Sequence, residues 1–75
     1  MTIKIHQLRE GDTFFECDYG VSVEYTAKGN PFRAENDMGW AIMGICAQSD
    51  EETYFYTSDK YPHYGPKLYL DEQYG

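Results

Sequence analysis

Few side chains in this 75-residue chain could do chemistry. There are two histidines, His6 and His63, and two cysteines, Cys17 and Cys46. Covalent catalysis needs a nucleophile, a base and a group that orients the base. Neither cysteine has a histidine beside it in sequence. Both lie in apolar stretches, FFEC and IMGICA, where a free thiol acts as a small buried hydrophobe. A metal site built from Cys17, Cys46, His6 and His63 lacks the short ligand pairs that zinc favours. No phosphate-cradling glycine loop, dinucleotide fingerprint or histidine–glutamate metal motif occurs. The chain therefore reads as a binding protein, not an enzyme, and calls for no cofactor.

The carboxylates are the more distinctive set, in a chain of net charge −7. Glu10 with Asp12, and Glu16 with Asp18, are spaced by two. On a strand that spacing puts both members on one face, about 6.6 Å apart. Asp50, Glu51 and Glu52 form a compact acidic turn, and Asp71-Glu72 is a further pair. Such rows either imitate a phosphate backbone or form a solvated face. They favour a basic protein partner and repel nucleic acid and anionic membrane. No apolar run approaches the length of a membrane span. The N-terminus, MTIKIHQLRE, lacks the apolar core of a signal peptide. Two cysteines are too few for a disulfide framework. A cytoplasmic protein is expected.

A second candidate surface is YPHYGPKLYL, Tyr61 to Leu70. Pro62 and Pro66 stiffen the chain, and Gly65 supplies a permissive turn. Stiffness lowers the cost of holding Tyr61, His63, Tyr64 and Tyr69 in place. The rings either cap one end of the fold or face out as anchors for a partner. Tyr69 suits the cap and Tyr64 suits exposure. A third reading is capture of a nucleotide-like ligand at an oligomer interface. Trp40, Tyr54, Tyr56 and Tyr64 would stack on the base, and Arg33, Lys60 or Lys67 would meet phosphate.

The elements that must position these residues are short strands. Ile3, Ile5 and Leu8 alternate with Lys4 and His6, the period of a half-buried strand. Gly11 and Asp12 turn the chain into a strand at Thr13, Phe14 and Phe15. VSVEYTA places Val21, Val23 and Tyr25 on one face. KGNP breaks the chain, and Phe32 to Gly39 reads as a loop. Gly39 to Ala47 is apolar on both faces and reads as a central strand covered on two sides. Gly44 within it marks a bulge or bend. TYFYTS carries rings on both faces, and KLYL is a last short strand. A helical turn fits only at Arg33–Met38 or Tyr61–Pro66. Val21, Val23, Trp40, Ile42, Ile45 and Phe55 are the expected core.

Five to six short strands in one small domain suggest an all-β fold, a small antiparallel, partly open SH3-like barrel. So few residues bury a marginal core, and a homodimer would add to it. Leu8-Arg9-Glu10-Gly11-Asp12-Thr13-Phe14 resembles the leucine–x–x–glycine–aspartate–x–hydrophobic turn that opens a barrel strand in many small SH3-like domains. The tiny, acidic, tyrosine-rich chain also resembles small accessory proteins of bacteriophages. That resemblance implies binding to, and blocking of, a host factor. It assigns no individual residue a role.

Overall fold

The computed structural model describes residues 2–18, 20–35, 38–58 and 65–71, with the backbone alone at 18 and 38. Among the described residues, seven strands form one antiparallel sheet. Four are long: β2 (Thr13–Asp18), β3 (Val21–Ala27), β5 (Met38–Cys46) and β6 (Glu52–Ser58). Three hold two residues each: β1 (Thr2–Ile3), β4 (Phe32–Arg33) and β7 (Leu68–Tyr69). The order is β1-β7-β2-β3-β5-β4, with β6 on the other side of β5. The sheet curls but does not close. The extra strand relative to the expected five or six arises where Phe32 and Arg33 pair with Ala41 and Trp40. That segment has no period long enough to be read as a strand.

β5 is the spine. β6 runs along one edge from Met38 to Ile45, while β4 and β3 share the other edge. Its inner side chains point into the curl. Ile42 and Gly44 meet Phe14, Tyr25, Ala27 and Phe55, and Ile5, Leu8 and Leu68 complete the buried cluster. Phe14, Tyr25 and Phe55 pack as a trio, Phe14 stacked on Tyr25 and Phe55 edge-on to both, at 4.8–5.7 Å. These are the offset and edge-to-face arrangements that ring quadrupoles favour.

Gly44 is where the three rings press on the backbone. A Cβ there would stand 3.0 Å from Phe14 Cζ and 3.1 Å from Phe55 Cε2. Gly44 is thus a close-approach glycine. Of the bulge or bend expected there, the bulge lies instead between Met38 and Ala41. It takes Trp40 N–H out of the ladder, and the Thr57 hydroxyl accepts that bond at 2.9 Å.

The N-terminal segment also differs from its sequence reading. The strand ends at Ile3, and Ile5–Gln7 is a 3-10 turn. The Gln7 amide oxygen accepts from Lys4 N–H at 3.0 Å, and Leu8 N–H donates to Ile5 O at 3.1 Å. Ile5 and Leu8 are three apart, so this turn buries both on one side. Period two and period three coincide too briefly in this segment to be told apart. Val21 is 61% exposed, contrary to expectation. It ends the β2–β3 hairpin opposite Asp18, past the reach of the core. Val23, Trp40 and Ile45 are half-buried, whereas Ile42 and Phe55 are fully inside. Cys17 and Cys46 are free and half-exposed, not buried.

Candidate functional site: an aromatic sheet face

β5 is apolar on both faces, but one side only is packed by the described part of the chain. The outer side carries Ala41, Met43 and Ile45. Their cross-strand partners, on the same face by register, are Phe32 on β4, Tyr56 and Tyr54 on β6, and Thr26 on β3. Phe32 and Tyr54 lean over β5 until their rings meet edge-on, 6.5 Å apart. The small side chain of Ala41 leaves room beneath them and is itself only 5% exposed. The two rings stay 47% and 58% exposed. The result is a patch of aromatic, Met and Ile side chains on a rigid three-strand base.

Acidic groups flank one end of this patch. Glu24 on β3 and Glu52 on β6 are exposed on either side of the end of β5. Asp50 and Glu51 occupy the turn between β5 and β6. That turn is well braced. Cys46 N–H donates to Glu51 O and Asp50 N–H to Cys46 O, both at 2.9 Å. Asp50 takes φ +59, a left-handed conformation that Asp tolerates better than most residues. Glu52 is ion-paired with Lys28 at 3.0 Å, both half-exposed, a contact worth at most about 1 kcal/mol. The turn also governs Cys46. The Ser49 hydroxyl, then the N–H groups of Ser49 and Gln48, hold its thiol below the ordinary range against opposing desolvation and Glu51.

The other proposed acids are dispersed. Glu10 and Asp12 lie in the turn before β2, so strand spacing does not apply to them. Asp12 serves that turn: its carboxylate accepts Arg9 N–H at 2.8 Å, and Asp12 N–H donates to Arg9 O at 3.0 Å. Gly11 adopts φ +88 there, which explains the glycine of the motif. Leu8 and Phe14, its apolar ends, are both fully buried. Glu16 lies on the inner face with Phe14. It lines a cleft of about 280 Å³ at the open seam, with Thr53, Phe55, Gly65 and Pro66. Burial first, then the Glu16 carboxylate and Cys46, push the Tyr25 phenol up, partly offset by a hydrogen bond with Thr53. Asp18 ends β2.

Tyr61, His63 and Tyr64 lie outside the described residues, as do Lys60 and Glu72. Tyr69 pairs with Phe15 and Thr2 across β7. It is on the outer face, half-buried, so it does not cap an end of the sheet. The stacking set proposed for a nucleotide is split, with Trp40 inward and Tyr54 and Tyr56 outward. Among the described residues, no group of His, Cys, Asp and Glu is arranged to hold a metal ion, and no helix is long and apolar enough to cross a membrane.

Sequence reasoning missed Phe32, Met43 and Ile45 as surface candidates. The signal was present in the two-faced apolar character of β5, which was read as a strand covered on both sides. No family model, curated protein or solved structure matches this chain.

Proposed function

We propose that this chain is a non-catalytic binding protein that docks a basic protein through the outer face of β4, β5 and β6. In kind it would be an inhibitor or modulator of a host protein, as in the bacteriophage accessory proteins it resembles. The observation that carries the reading is the pair of exposed rings, Phe32 and Tyr54, on the face that also carries Met43 and Ile45. Exposed aromatic side chains held by a rigid scaffold are the usual anchors of a protein interface. Glu24, Asp50 and Glu51 at one end of the patch supply the charge complementarity for a basic partner.

The test uses wild-type protein and Tyr54→Ala as matched baits in host lysate, washed at low and high salt. A basic protein retained by wild type, lost with Tyr54→Ala and weakened by salt is expected. Equal recovery on both baits, or recovery indifferent to salt, overturns the reading. Sedimentation of the isolated chain addresses the other occupant of this face. A dimer abolished by Tyr54→Ala would mean that a second copy covers it.

A further inference from the structure

On the opposite side of the sheet from Phe32 and Tyr54 lies a cleft of about 270 Å³, lined by His6, Arg9, Asn30, Pro31 and Trp40. Among the described residues, none that lines it is acidic, in a chain with 13 Asp and Glu. Three elements converge on it. The 3-10 turn brings His6, the turn before β2 brings Arg9, and the connection from β3 to β4 brings Asn30 and Pro31. The bulge in β5 sets Trp40 as the wall, a common use of bulges.

The donors here are fixed by the fold. Arg9 Nη1 donates to the carbonyls of His6 and Leu8, at 3.0 and 2.7 Å. Both of its protons are thereby used, which sets the plane of the guanidinium and leaves Nε and Nη2 to donate. Asp12, the nearby carboxylate, is turned to the Arg9 backbone N–H. Among the described residues, the ion pair shown is Lys28 with Glu52, not one made by Arg9. Asn30 Oδ1 accepts Glu10 N–H at 2.9 Å, so its Nδ2 remains as a donor. The His6 ring stands 5.9 Å from that of Trp40 and adds another N–H. The Arg33 guanidinium lies 5.4 Å over the Trp40 ring.

We infer that this cleft binds the oxyanion of a small-molecule ligand, a phosphate ester or a carboxylate, with the ligand's apolar part against Trp40 and Pro31. A planar guanidinium held in place and a pinned amide suit such an acceptor, because their ordering is already complete before binding. The site is independent of the protein-docking face, so either can fail alone.

Trp40 is the chain's sole tryptophan and therefore reports on the cleft directly. Its fluorescence would be followed during titration with inorganic phosphate, phenyl phosphate, acetate and benzoate, against chloride at matched ionic strength. A saturable change with the phosphates or the carboxylates, absent with chloride, is expected, the ring-bearing member of the pair binding more tightly. Which pair saturates identifies the source of the oxyanion. Asn30→Asp keeps the acceptor for Glu10 N–H but replaces a donor with a negative charge. It should weaken binding at least about tenfold without lowering the melting temperature, and Arg9→Gln should weaken it similarly. No saturable change with any probe up to about 50 mM, a range that still detects millimolar affinity, overturns the inference. So does undiminished binding by folded Asn30→Asp.

Discussion

Gly44 and Cys46, two residues apart on β5, are constrained by different forces. At Gly44 the constraint is space, because Phe14, Phe55 and Tyr25 Cβ all stand within 3.0–3.3 Å of where a Cβ would be. Gly44→Ala should therefore force the ring trio apart and destabilise by about 1–3 kcal/mol, the cost of overpacking. Urea unfolding would measure it, and an unchanged midpoint would show that the rings yield freely. At Cys46 the constraint is hydrogen bonding, with the Ser49 hydroxyl the leading contributor to thiolate stability. The rate of alkylation, followed against pH, should show Cys46 titrating below a free thiol. Ser49→Ala should shift that profile upward. Coincident profiles would remove Ser49 from the account.

At the scale of elements, the turn from Arg9 to Asp12 holds β2 against β3. Gly11 N–H donates to Ala27 O and Ala27 N–H to Asp12 O, at 2.9 and 2.8 Å. The Asp12 carboxylate completes the turn through Arg9 N–H. Asp12→Ala should cost about 1 kcal/mol, a fall of roughly 4–8 °C in melting temperature for a domain this size. Asp12→Asn, which keeps an acceptor, should recover most of it. Tyr25 links β3 to β6 through Thr53 and carries a raised phenol. A group with a raised folded value stabilises fully below its unfolded value, about 10, and loses that contribution as pH rises through the folded value. Stability should therefore fall above pH 10 more steeply in wild type than in Tyr25→Phe. Equal slopes in the two proteins would assign the alkaline loss to other groups.

For the whole molecule, the consequence of an open sheet is that the described residues build the core against one side of β5 and leave the rings on its other side exposed. Tyr54→Ala and Phe32→Ala should each leave stability within about 0.5 kcal/mol of wild type, although they remove large rings. A loss of several kcal/mol would mean that the outer face is part of the core. Trp40 is intermediate: half-buried against the core and flanked by His6 and Arg33. Trp40→Ala should cost less than the about 3–5 kcal/mol of a fully buried ring.

The strand identities of β2, β3, β5 and β6 were legible because alternation and turn residues act over a few neighbours. Local chemistry of that kind also marked Gly11 and Asp12 as a turn. The central place of β5 was legible too, because a long run that is apolar on both faces marks a strand in the middle of a sheet more often than one at its rim. What covers its second face was not legible, because apolar character does not say where a covering layer will come from. Only the tertiary structure decided that Ala41, Met43 and Ile45 share the outer face with Phe32 and Tyr54, and that Gly44 is a contact point, not a bulge. The grouping of His6, Arg9, Asn30 and Trp40 was equally hidden. They are distant in sequence, and the register of β5 with its neighbours, together with the bulge before Ala41, brings them to one cleft.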